Sequence, residues 1–144
     1  MWRLGLMLTC FAAASAAAQT SYADLKGTWS GNPPAVMYGK NEHHPVGPGN
    51  ETPRVDQAEF FFVITGQDGA NVWGYSYSNK AKTNEPFAWS IASDRRTLIG
   101  ADTDGYFHIT LQSGDQMDLC YAQNRLGPSG MILSVCGPFK REKK

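Results

Sequence analysis

The chain is poor in the residue types that carry most enzymatic and nucleic-acid chemistry. It has three histidines and three cysteines in 144 residues. Lys+Arg and Asp+Glu number 13 each, so no basic excess exists to neutralise a phosphate backbone, and nucleic acid is not an expected partner. There is no Gly-x-Ser-x-Gly, which removes the nucleophile elbow of the hydrolases. No stretch shows convincing helical periodicity, so no phosphate-cradling loop opens onto a helix. No apolar run reaches the length that spans a bilayer comfortably, and stable membrane insertion is not expected. Nothing implies a cofactor.

The N-terminus has a form of its own. Met1-Trp2-Arg3 gives a short basic start, residues 4–14 are apolar, and Ala16-Ala17-Ala18 offers a small-residue cleavage site before Gln19. That is the layout of a cleaved secretory signal over residues 1–18. An uncleaved anchor and a lipoprotein are the rivals. Cys10 follows Met7-Leu8-Thr9 with no small residue just before it, which argues against lipidation. Residues 19–144 then form a single domain, secreted or periplasmic, with 12 basic residues against 13 acidic once Arg3 is gone. Only Cys120 and Cys136 stay with that domain. Two cysteines in an oxidising compartment usually pair, and a bridge over a loop of this size adds about 3 kcal/mol in the chain-entropy account. The basic residues Lys140, Arg141, Lys143 and Lys144 read as a solvated tail.

What the chain has in quantity is short alternating runs. Residues 59–78 read as a hairpin, Phe60-Phe61-Phe62-Val63-Ile64 and Val72-Trp73-Gly74-Tyr75-Ser76-Tyr77 around Asp68-Gly69. Trp73, Tyr75 and Tyr77 share one face. Further runs follow at 86–92, 96–101, 106–111, 116–123 and 130–137, with a first strand at 25–31. Asp, Ser and Gly turns separate most of them. The fold class expected is all-β, a single eight-stranded antiparallel up-and-down barrel, whose closure leaves no edge. Residues 32–57 interrupt it. They hold Pro33, Pro34, Pro45, Pro48 and Pro53, and proline density removes ladder donors, so a long Pro/Gly-rich loop is expected between strands 1 and 2. Folding the last two strands about Pro128 puts position 120 opposite 136. The same register gathers Leu119, Tyr121, Leu133 and Val135 on the other face, so bridge and core agree.

Chemistry-bearing constellations are few. Trp29, Trp73, Tyr75, Tyr77, Phe87 and Trp89 fall on successive strands. Such rings either line an apolar pocket or fill the barrel. Asp102-Thr103-Asp104-Gly105 opens like a calcium loop, but its twelfth position is Ser113 rather than Glu, and a hairpin turn explains it. His43, His44 and His108, with Glu42, could assemble three ligands only by chance of folding; no metal site is expected. Tyr106, His108 and Glu59 are the available acid–base groups, none with a visible partner. No catalytic residue is assigned, and the chain is expected not to be an enzyme.

Gly27-Thr28-Trp29, and Phe62-Val63-Ile64-Thr65-Gly66-Gln67-Asp68-Gly69-Ala70 running on to Gly74-Tyr75, resemble the avidin and streptavidin type of barrel. Gly-x-Trp openings are shared with lipocalins and other calycin-like barrels. The resemblance covers the first third of the exported chain and implies an eight-stranded barrel with an aromatic-walled pocket at one end. It transfers Trp29 and Tyr75 as pocket walls. Residues 32–57 depart from the pattern, and no tryptophan follows Trp89, so biotin is not carried over. The function expected is a secreted or periplasmic barrel that binds a small apolar ligand, with Trp29, Trp73, Tyr75 and Trp89 as its wall. The alternatives are capture of an extracytoplasmic protein by the 32–57 loop and, third, a barrel-type cyclase or isomerase.

Overall fold

The computed structural model describes residues 21–39, 52–81, 83–124 and 130–143. The signal segment expected at 1–18, and His43 and His44, lie outside the described residues. Ten strands form: β1 Gly27–Gly31, β2 Pro34–Tyr38, β3 Arg54–Gln57, β4 Phe60–Asp68, β5 Asn71–Ser78, β6 Glu85–Ile91, β7 Thr97–Ala101, β8 Gly105–Ser113, β9 Gln116–Asn124 and β10 Ile132–Arg141. No helix occurs among the described residues.

Eight of the strands close an antiparallel barrel in the order β1-β4-β5-β6-β7-β8-β9-β10, and β10 returns to β1. The closing pairs are Trp29 with Arg141 and Ser30 with Lys140. From β4 onward every strand pairs with its sequence neighbour, as short turns require.

Two features correct the sequence reading. The stretch 32–57 is not all loop, since it contains β2 and β3. Pro34 is the first residue of β2, a place where a missing N–H is tolerated. β1 and β2 lie end to end along β10, separated by Asn32-Pro33. The first takes Lys140 and Arg141, the second takes residues 132–135. Their outer neighbours differ: β1 pairs with β4, while β2 pairs with β3. The barrel wall therefore forks at one end. The second correction concerns the basic C-terminus. β10 continues past Gly137 to Arg141, and Arg141 is built into the fold rather than solvated.

The expected register of the last hairpin is present. Cys136 pairs with Cys120 and the two are joined, with their Cα atoms 4.1 Å apart. The bridge lies on the outer face, while Leu119, Leu133 and Val135 are buried inside.

The barrel interior is solid over much of its length. Phe62 is the hub, with ring centroids 5.3–5.7 Å from those of Phe87, Trp89, Phe107 and Phe139, mostly edge to face. Edge-to-face pairs add about 0.5–1.5 kcal/mol each beyond burial. Room for these rings comes from neighbours without side chains. Trp89 pairs with Gly100, where a Cβ would come within 2.2 Å of the indole. A smaller apolar group, Ala35, Met37, Met131, Leu133 and Val135, lies at the forked end.

Candidate functional site

The forked end holds a cavity between the two apolar clusters. Phe60, Phe62, Phe107, Leu119 and Phe139 face it from the main core, and Leu133, Val135 and Pro33 from the other side. The cavity itself is small, about 60 Å³, and opens at its mouth onto solvent. Ala81 and Thr83, from the β5–β6 connection, stand at the rim. Lys80 of that connection reaches Asp56 of β3 at 2.6 Å, tying the rim to the β2–β3 extension. The ammonium hydrogen bond holds the Asp56 carboxyl below the usual range.

Polar groups meet this apolar wall at the mouth: Ser76, Ser78, Glu85, Asp102, Tyr121 and Gln123. The turn before β8 fixes Asp102. Its Oδ1 accepts the backbone N–H groups of Asp104 at 2.9 Å and Gly105 at 2.7 Å, an Asx-type turn. The Tyr121 hydroxyl donates to the same oxygen at 3.0 Å. Gly105 allows that approach, since a Cβ there would be 2.7 Å from the hydroxyl. Burial raises the Asp102 carboxyl above its ordinary value, against the pull of its hydrogen-bond donors. Burial, then the charge of Asp102, pushes the Tyr121 hydroxyl far up, so it remains a proton donor. Thr103 Oγ1 donates to Glu85. Gln123, only 3% exposed, donates from Nε2 to Asp104 Oδ2 at 3.1 Å.

None of the four aromatic residues expected to form the wall lines this cavity. Trp29 and Trp89 point inward but belong to the solid part of the core, both almost fully buried. Trp73 and Tyr75 point outward. Along β5 the buried positions are Val72, Ser76 and Ser78, while Trp73 is 46% exposed. The physical reason is volume. Phe62 on β4 and Phe87 and Trp89 on β6 already fill the interior, leaving space from β5 only for small side chains. The shared face of Trp73, Tyr75 and Tyr77 is thus real but external, with Tyr77 stacked on Phe61 at 4.8 Å. Trp73 covers Gly66 at a β-bulge. Tyr106 and His108 also lie on the outer wall, exposed.

The residues that sequence reasoning missed are Ser76, Asp102 and Gln123. Tyr121 was placed inward but given no role. The available signal was parity. Ser76 shares a face with Val72, and Gln123 with Leu119 and Tyr121. The Asp102 turn is present as a turn, and no group of metal ligands occurs among the described residues.

No family model and no curated protein matches the chain. Among solved structures the chain is similar to an S-type phycobiliprotein lyase, CPES, from Guillardia theta. The TM-score is 0.36 and the identity 9%, over 83% of this chain and 89% of that one. The likeness to avidins holds as far as a closed eight-stranded antiparallel barrel. The expectation that the chain is not an enzyme is withdrawn: the similar protein is named a lyase, a name that belongs to that protein alone. Lack of a recognisable catalytic pair in sequence is no bar to chemistry in a shaped cavity.

Proposed function

We propose that the barrel binds a small, largely apolar ligand in the cavity at its forked end. The carrying observation is a single space bounded by Phe60, Phe62, Phe107, Leu133, Val135 and Phe139 and ringed by polar side chains at one opening. That is the make-up of small-molecule sites, an apolar body with a few polar groups that fix orientation. The wall is phenylalanine and aliphatic side chains. Trp29 and Trp89 lie beneath it, with Trp89 and Phe62 5.4 Å apart as part of a rigid floor.

Uptake of a neutral apolar fluorophore, N-phenyl-1-naphthylamine, tests this. One equivalent should bind, and Val135→Trp, which fills the cavity, should abolish binding. Trp73→Ala should leave binding unchanged, because Trp73 is on the outer wall. The opposite pattern, loss with Trp73→Ala and retention with Val135→Trp, would mean that the probe reads the exterior and would overturn the cavity reading.

We also propose that the chain works outside the cytoplasm. The Cys120–Cys136 bridge supports this, since such bonds persist in oxidising compartments, and residues 1–18 have the form of a cleaved signal. The exported protein should begin at Gln19 by intact mass.

A further inference from the structure

The mouth of the cavity is unequal in its hydrogen-bonding character. Ser76 is 8% exposed, faces the cavity from β5 and makes no side-chain hydrogen bond among the described residues. Gln123 uses its Nε2 on Asp104, and its carbonyl oxygen receives no hydrogen bond from a described residue. Asp102 receives its three donors on Oδ1 alone. The second carboxylate oxygen accepts nothing from the described residues. The Tyr121 proton is already committed to Asp102. What this rim has left over is acceptor capacity and the negative charge of Asp102, beside neutral donors on Ser76, Ser78 and Gln123. Ser76 is a largely buried residue on an apolar cavity, and its hydroxyl is free to meet a polar group of an occupant.

Building on the cavity reading above, we infer that the occupant carries a cationic hydrogen-bond-donating headgroup, an amine in its ammonium form. Its apolar body sits among Phe60, Phe62, Leu133 and Val135, and its N–H groups meet Asp102, Ser76 and Gln123. An ammonium has three donors and no acceptor, the complement of this rim. Charge-assisted bonds to a carboxylate are roughly twice as strong as neutral ones. A carboxylate headgroup would meet Asp102 as a like charge, with only neutral donors to offset it, the Ser76 and Ser78 hydroxyls and the second Gln123 N–H. Other charged and titratable groups near the opening are Glu85 on β6, Asp104 in the turn before β8, Tyr121 on β9 and Lys80 on the β5–β6 connection. Lys80 is engaged by Asp56 and Glu85 by Thr103.

Three ligands with one apolar body separate the possibilities: 2-(1-naphthyl)ethylamine, 2-(1-naphthyl)ethanol and 3-(1-naphthyl)propionate, each displacing N-phenyl-1-naphthylamine at pH 7. The amine should bind at least tenfold more tightly than the acid, with the alcohol between. Asp102→Asn keeps an acceptor for Tyr121, and it should reduce the amine's advantage over the alcohol to less than threefold. Ser76→Ala should weaken amine and alcohol alike by about threefold, and it serves if the Asp102 variant does not fold. Equal binding of all three, tighter binding of the acid, or failure of all three to displace a bound probe overturns the headgroup inference alone. A barrel that takes up no probe overturns the cavity reading on which it rests.

Discussion

The two ends of the barrel are built from the same alternation and do opposite things with their polar atoms. At the sealed end most polar groups serve the chain. Trp29 donates its indole N–H to Leu25 O at 2.9 Å, and Leu25 N donates to the Gln67 side chain at 2.8 Å. Arg141 lies over the Trp29 ring at 4.7 Å and donates to the carbonyl oxygens of Asp24, Lys26 and Gly114 at 2.6–2.7 Å. Its Nε stands 2.9 Å from Asp115 without forming a hydrogen bond. Leu25 is fully buried beneath the segment that these bonds hold across the barrel. At the forked end Ser76 and the Gln123 carbonyl face an apolar space with capacity unspent. A sealed end that consumes its hydrogen bonds stabilises, and an open end that keeps them in reserve is available to bind.

Damage at the sealed end should destabilise the fold strongly. Trp29→Ala should cost about 3–5 kcal/mol in urea unfolding, because it removes a fully buried ring and leaves a cavity that a rigid aromatic cluster cannot close. A loss below about 1 kcal/mol would mean that the sealed end is not what holds the barrel shut. Next in size is Arg141→Ala, expected to cost about 2–3 kcal/mol through lost bonds to carbonyls and lost cover over the indole. Arg141→Lys keeps the charge but not the fork of donors. It should recover less than half of the loss, whereas full recovery would assign the effect to charge alone.

How legible these ends were follows from how many independent constraints bear on each residue. The disulfide and its register were readable, because Cys120 and Cys136 must meet and the same pairing must bury Leu119, Leu133 and Val135. The eight-stranded barrel was readable from turn spacing. The facing of β5 was not. Alternation gives two faces without saying which is inner, and the weight of Trp73, Tyr75 and Tyr77 favoured the wrong one. Knowing that Phe62, Phe87 and Trp89 already fill the barrel requires its cross-section. β2 and β3 were hidden by proline counting, although Pro34 occupies the one strand position that needs no donor. Arg141 looked like part of a basic tail because its partners, Asp24, Lys26 and Trp29, are more than a hundred residues away in sequence.

Ser76→Ala should change unfolding free energy by no more than about 0.5 kcal/mol, since the hydroxyl gives the chain no hydrogen bond to lose. The same change at a satisfied buried polar group costs about 1–3 kcal/mol, so a loss of that size would show that Ser76 serves the fold.

Asp102 carries the smallest energy and the most telling sign. Burial raises its carboxyl in the folded chain above the ordinary 3.8. The folded state then holds a proton that the unfolded chain has released, and stability falls as pH rises from 3.8 through the raised value. Most other shifted carboxyls here run the opposite way. Hydrogen bonds from Thr97 hold Asp94 down to about 2, and Lys80 lowers Asp56. Their contribution is present above 3.8 and is lost as pH falls below it. The two windows do not overlap, so a difference curve between wild type and Asp102→Asn isolates the mouth. The variant should match wild type below pH 3.8 and become the more stable of the two above it, by no more than about 1 kcal/mol because solvent reaches the opening. A bound ammonium should reverse the order, since the ionised carboxylate then has its partner. If wild type is already the more stable above pH 4 with nothing bound, the carboxylate is satisfied by the chain itself, and the forked end would be a second sealed end rather than a site.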